Sequence, residues 1–161
     1  MNQAQRPQVP TEFHDLVSTI TSRIVGLPLD GSLQDFLQAE YPPEGTWFRA
    51  MANLCVKGCA EGWLCAREQG GIKFGRPIKP SEASSGFSVD VVEMTDVVGP
   101  HHRHPNGEID LVMPLAGAAE FDGKGAGWLV YGPGSAHCPT VAKGKALVLY
   151  LLPEGAIEFT G

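Results

Sequence analysis

The sequence predicts an α+β protein, mainly β, in which a small helical region over residues 1–70 precedes an antiparallel sandwich or barrel over residues 71–161. Two observations carry this prediction. Apolar side chains recur at helical spacing through the first seventy residues, whereas after "QGG" Pro and Gly punctuate short runs rich in Val, Ile and Phe. Turn signals in that second part fall about every ten residues, and strands do not alternate with helices, which argues against a parallel sheet.

The first helix is carried by Phe13, Leu16, Val17, Ile20, Ile24 and Val25, with Thr11 placed to cap its first turn. A second, short helix is read from "SLQDFLQAEYPP". Ser32 opens it, Asp35 stands at the third helical position as in a variant capping box, and Pro42 and Pro43 enforce its stop. The third starts at Thr46 and carries Trp47, Met51, Leu54, Cys55 and Trp63 on its apolar face; Gly58 and Gly62 weaken its continuity. "FSVDVVEM", "EIDLVMPL", "GWLVYGP" and "KALVLYLL" read as strands. The link "RPIKPSEASSG" reads as a surface loop or a lid. "GKGAG" at 123–127 lacks the strand, helix and acidic residue of a dinucleotide site and reads as a hairpin turn.

The totals bound the function. With 161 residues, 43% apolar and 19% charged, the chain suits one globular domain with a real core. A net charge of −6 and twelve scattered Lys and Arg give no field for gathering phosphates, so nucleic acid is excluded as a partner. "MNQAQRPQVPTEF" has no basic start or apolar stretch of a leader, and no apolar run of about eighteen residues exists to span a bilayer. The expectation is a cytoplasmic protein without a membrane partner. The cysteines at 55, 59, 65 and 138 form no CxxC pair and no disulfide framework; Cys55 and Cys59 share a helix face, where cysteine acts as a small buried hydrophobe.

Against this plain background, "GPHHRHPNGEIDLVMPLAG" gathers three of the five histidines within four residues. Side chains alternate in an extended segment, so His102 and His104 project to one face and His101 and Arg103 to the other. Two imidazoles at that spacing reach one metal ion, and Glu108, after the "PNG" turn, brings a carboxylate toward the same centre. Asp110 shares the parity of Glu108. His137, in "YGPGSAHCP", follows a Gly-Pro-Gly turn at the start of another strand, so two distant segments converge on one ion. The donor set accepts Fe, Mn, Zn, Ni or Co as one divalent metal ion, without choosing among them.

"HRHPNGE" followed by "GPGSAH" resembles the two motifs of the cupin superfamily, His-x-His with a later Glu, then Gly-x-x-His. From roughly Ile72 onward the resemblance implies a jelly-roll barrel holding one divalent metal through His102, His104, Glu108 and His137. The pattern departs at several places. Gly99 stands closer to the histidines than the family's leading glycine, the second motif's proline is displaced to Pro133, and Val141 replaces its asparagine. Gly117 is spaced correctly from Asp110 but two residues too far from Glu108. Either the strand is longer here with Glu108 as ligand, which is the favoured reading, or Asp110 is the ligand.

The whole chain, with its helical amino-terminal part and "HHRHPNGEIDLVMPL", resembles the small bacterial family of 4-hydroxylaminobenzoate lyases. That resemblance implies conversion of 4-hydroxylaminobenzoate to 3,4-dihydroxybenzoate (protocatechuate) and ammonia, a step in nitroaromatic breakdown. Whichever of Glu108 and Asp110 is not a ligand is the first candidate for proton transfer, and His101 the second. A small aromatic carboxylate needs a cation and an apolar slot. Arg103, Arg49, Arg67 and Arg76 are candidates for the first; Trp47, Trp63, Trp128 and Tyr131 for the second. The same ligands serve an iron(II) dioxygenase acting on an aromatic substrate, and the barrel alone would serve a small-ligand-binding module. Pairing through sheet edges makes a homodimer the expected assembly.

Overall fold

A computed structural model of the chain describes residues 8–160, so the amino-terminal stretch read above as lacking a leader lies partly outside the described residues. Three helices come first: α1 (Thr11–Ile24), α2 (Gly31–Glu40) and α3 (Thr46–Glu61). Nine strands follow: β1 (Arg67–Gln69), β2 (Ile72–Ile78), β3 (Phe87–Val98), β4 (His102–His104), β5 (Glu108–Phe121), β6 (Gly127–Tyr131), β7 (Ser135–His137), β8 (Thr140–Pro153) and β9 (Glu158–Phe159). They form a six-stranded sheet in the order β1-β2-β3-β8-β5-β6 and a three-stranded sheet in the order β7-β4-β9, with every pairing antiparallel. The mainly β class is as the sequence predicts. No helix among the described residues is long and apolar enough to cross a membrane.

Local details differ where side chains had competing choices. Thr11 is the first helical residue of α1 and not its cap; Pro10 holds the capping position, with no side-chain bond. The α2 cap is Asp30, two residues before Ser32, and its carboxylate accepts the Leu33 N–H at 3.1 Å. An anionic oxygen is the stronger acceptor there, so it takes the cap. α3 runs through Gly58 unbroken and ends at the left-handed Gly62. Strand β1 already lies within the first seventy residues, pairing with β2, so the sheet begins at Arg67. Residues 76–78 of the predicted loop complete β2, and Pro77 sits where the pairing with β3 slips, a position that needs no backbone donor.

The six-stranded sheet is buried on both faces, and each face has its own core. Val89, Val91, Ile109, Leu111, Met113, Leu147 and Leu149 pack with Phe13, Ile20, Leu37, Met51 and Leu64 beneath the helices. The alternate residues Val92, Met94, Val112, Val148 and Tyr150 fill the interior between the sheets with Phe121 and Val141. The helices therefore clad the outer face of the barrel. Their attachment is specific at the edge strand β6. Gln34 accepts the Val130 N–H at 2.9 Å and Gln38 the Trp128 N–H at 3.1 Å. Four helical residues rise about 6 Å and two strand residues about 6.7 Å, so amides one turn apart on α2 meet successive outward-facing donors of β6. Gly127 admits this approach, since a Cβ there would stand 2.7 Å from the Gln38 Oε1. The Trp128 indole, fully buried, donates to the Tyr41 carbonyl at 2.9 Å.

Gln34→Ala and Gln38→Ala should each strand one edge donor and destabilise the protein by roughly 1–3 kcal/mol, read as a lower urea midpoint at unchanged slope. Gln38→Glu, which keeps an acceptor, should lose less.

Candidate metal centre

Strand alternation turns His102 and His104 inward from β4 and leaves Arg103 facing outward, 3.3 Å from Glu158. In the ladder His102 stands opposite His137 of β7, and His104 opposite Ser135. The short register brings the His102 and His137 Nε2 atoms within 3.1 Å. The "PNG" turn then crosses to the facing sheet, with Gly107 at φ 88° in a position where a Cβ would meet the Tyr131 carbonyl at 2.7 Å. Glu108 is the first residue of β5 and points back at the imidazoles. Its Oε1 lies 3.5 Å from His102 Nε2 and 3.2 Å from His104 Nε2, and its Oε2 3.6 Å from His137 Nε2.

One ligand atom from each of His102, His104, Glu108 and His137 lies within 4.8 Å of all the others. The separations of 3.1, 3.2, 3.5 and 3.6 Å among these donors are those of atoms about 2.0–2.2 Å from a single ion. Both Glu108 oxygens and the His104 Nε2 are buried with no hydrogen-bond partner among the described residues. A carboxylate has only acceptors to offer, and leaving it without donors in a dry interior is costly. A cation among these atoms would give the carboxylate and the imidazole the partner they lack, so the residues fit a metal.

Two further residues set the imidazoles. Ser135 donates its hydroxyl proton to the Gly132 carbonyl at 2.6 Å, so toward His104 Nδ1, 2.9 Å away, it acts as acceptor. The proton of neutral His104 is thereby placed on Nδ1, leaving the Nε2 lone pair for the centre. Asp122 does the same for His137, whose Nδ1 lies 2.6 Å from Oδ2. Asp122 in turn accepts the Tyr131 hydroxyl at 2.5 Å and the Thr140 N–H at 2.9 Å. Sequence reading missed both residues. Asp122 opens a hairpin turn and Ser135 follows "GPG", positions whose ordinary explanation is turn chemistry, so only the three-dimensional register reveals them.

The charges respond to this enclosure. Burial would raise the Glu108 carboxyl, but the three imidazoles outweigh it and hold Glu108 well below the usual carboxylate range. Asp110, fully buried on the same strand face, is pushed well above that range, by burial first and by the Glu108 charge second. Burial opposes the His137 cation, yet Asp122 and Glu108 prevail and raise it to about 9. A metal bonded to Nε2 displaces that proton.

The structure thus gathers His102, His104, Glu108 and His137, with Asp110 adjacent and outside the ligand group. β5 is long, fourteen residues, which accommodates Gly117 downstream of Glu108. Tyr131 joins the site, its ring 4.7 Å from His137 and 5.5 Å from His104. His101 is exposed and contacts the Thr160 hydroxyl, away from the imidazoles. Trp47 stacks on Trp128 at 5.6 Å and donates to the Leu16 carbonyl, within the helical layer. Arg49 is exposed on α3 and Arg67 on β1. Arg76 reaches Asp90 in a bidentate pair at 2.9 and 3.0 Å.

The family model described as PnbB, 4-hydroxylaminobenzoate lyase, matches residues 15–159. The chain belongs to that family. A 4-hydroxylaminobenzoate lyase of Nocardioides sp. (strain LMS-CY) is 33% identical over 136 residues, 79% of this chain and 80% of its own. One of Pseudomonas putida is 29% identical over 147 residues, 81% of this chain and 84% of its own. Among solved structures, an RmlC-like cupin protein of Ralstonia eutropha superposes with a TM-score of 0.44 at 13% identity, covering 60% of this chain and 64% of its own.

Loss of an orienting partner should loosen the centre without deleting a ligand. Asp122→Ala and Ser135→Ala should each weaken divalent-metal affinity by about 10–100-fold in chelator competition, with the fold intact by circular dichroism.

Proposed function

We propose that this protein is a metal-dependent lyase converting 4-hydroxylaminobenzoate to 3,4-dihydroxybenzoate and ammonia. The observation that carries the reading is the buried group of three imidazoles and one acceptor-only carboxylate, with a second buried carboxyl beside it, in a chain of this family. The reaction adds one water and releases ammonia. The N–O bond and the ring C–N bond break, C–O bonds form at the carbon that carried nitrogen and at its neighbour, the neighbour's hydrogen leaves as a proton, and the balance needs no external oxidant or reductant. His102, His104, Glu108 and His137 would hold a divalent ion, which would supply Lewis acidity toward the hydroxylamine.

The chain's own residues supply protons and grip. Asp110 is the candidate acid: its carboxyl shares the interior face of β5 with Glu108 and has no hydrogen-bond partner on either oxygen among the described residues. In this reading it gives a proton to the departing hydroxylamine oxygen and takes one back as the ring regains aromaticity. His101 and Arg103, on the outer side of β4, are less suited to act on the same substrate. Arg76 is the best supported of the arginines for the substrate carboxylate. Its partner Asp90 stands opposite Tyr150 on β8, which stands opposite Asp110 on β5, in one row of interior residues. Two strand spacings, about 10 Å, separate the ends of that row. Tyr131 offers an aromatic wall beside the imidazoles.

Metal-analysed protein incubated with 4-hydroxylaminobenzoate under argon should release ammonia and 3,4-dihydroxybenzoate in equal amounts. No product at full metal occupancy would overturn the lyase reading and direct attention to oxygen-dependent chemistry. His102→Ala with His104→Ala should lose metal and turnover together. Asp110→Asn should keep its metal and lose about 10²–10⁴-fold in kcat. Arg76→Met should raise KM by about ten- to a hundredfold while sparing metal content, as expected for loss of a charged hydrogen-bonded contact.

A further inference from the structure

Away from the metal centre, on the helix-clad side of the barrel, two thiols meet. Cys59 lies in the last turns of α3 and Cys65 just before β1, six residues apart in sequence, and their Sγ atoms are 2.6 Å apart. Two non-bonded sulfur atoms do not ordinarily pack so closely. Cys65 is buried, its backbone is held at φ 54°, and its Sγ sits 3.7 Å from the Val91 carbonyl of β3. Cys59 is half-buried and reaches solvent. Glu93, on β3, faces the same region and binds Lys73 at 3.7 Å and Lys145 at 3.4 Å. The other two cysteines have different surroundings. Cys55 is fully enclosed against Met51, and Cys138 is exposed between β7 and β8.

We propose that Cys59 and Cys65 are a reversible thiol–disulfide pair, a redox modification site taking small-molecule disulfides such as glutathione disulfide. The Cys59 thiolate attacks one sulfur of the small disulfide, whose S–S bond breaks; the departing thiolate takes up the proton that Cys59 gave to water. The Cys65 sulfur, losing its own proton to solvent, then attacks the Cys59 sulfur and expels the second small thiol. One S–S bond is consumed and one is made, and two protein S–H groups become two small-molecule S–H groups.

The two cysteines are fitted to these unequal parts. Contact with Cys65 leads the effects that lower the Cys59 thiol, with Lys73 and Lys145 assisting against burial, while the same contact and burial raise Cys65. A thiolate is favoured at the sulfur that solvent reaches, and the resolving thiol stays protonated behind it. The finished bond ties the end of α3 to the start of the sheet.

The test uses the full-length, metal-loaded protein carrying C138S, which removes the exposed thiol. After exposure to glutathione disulfide, alkylation in denaturant should find two of the three remaining cysteines protected, joined in a Cys59–Cys65 cross-linked peptide that dithiothreitol reverses. In the same background C59S should leave Cys65 fully alkylated, and C65S should trap glutathione on Cys59. The proposal is overturned if all three thiols stay alkylatable, if the cross-link involves Cys55, or if glutathione persists on Cys59 while Cys65 remains free. Peptide mapping of the unsubstituted protein repeats the reading without any substitution.

Discussion

Glu108 is a carboxylate buried in the barrel with no hydrogen-bond donor of its own among the described residues, and much of the surrounding structure is arranged around that charge. Only positive or polarised partners aimed at it make its burial tolerable. The three imidazoles of the facing sheet supply part of this, and a divalent ion among them would supply the rest. The turn at residues 105–107 holds the carboxylate there, Gly107 letting the chain double back against Tyr131. The next inward residue, Asp110, then meets a neighbouring charge that its own ionisation would have to oppose. Two carboxyls on one strand face are thereby driven apart in character by position alone.

The opposing requirement is rigidity. Imidazoles that must present one nitrogen to an ion need the other nitrogen occupied, and Ser135 and Asp122 meet that need from different strands. Asp122 also accepts from Tyr131 and Thr140, so a single carboxylate connects the β5–β6 hairpin, the start of β8 and the imidazole of β7. Behind this layer, the sheet carries a second apolar face that must be covered. The helices do so, and the amides of Gln34 and Gln38 close its exposed edge as a further strand would. The helical region is therefore part of the barrel's own stability, on the face opposite the imidazoles and Glu108.

Much of this was legible in the residues. The alternation of His102, Arg103 and His104, the turn before Glu108, and the Gly-Pro-Gly before His137 each describe local geometry, because a strand's side chains take sides every second residue. The helix spans followed from apolar spacing in the same way. The strand boundaries were less legible: residues 76–78 look like loop because Pro77 and its neighbours carry turn-forming signals, and only a slipped register with β3 lets them pair. Trp47 and Trp128 were plausible walls of a pocket on composition, yet both are consumed by the helix–sheet interface.

What the sequence by itself determined is therefore the three helices and the central strands, the inward parity of the histidines and carboxylates, and the family to which the chain belongs. These depend on spacing along one stretch of chain, where periodicity carries direct physical meaning. Tertiary structure alone decided that Glu108 meets the imidazoles while Asp110 stays beside them, and that Asp122 and Ser135 orient them. It also decided that Cys59 faces Cys65 instead of Cys55, and that the helices lie outside the barrel. Each of these is a contact between segments brought together by strand register or by packing of one layer on another, and neither is written in the neighbours of any single residue.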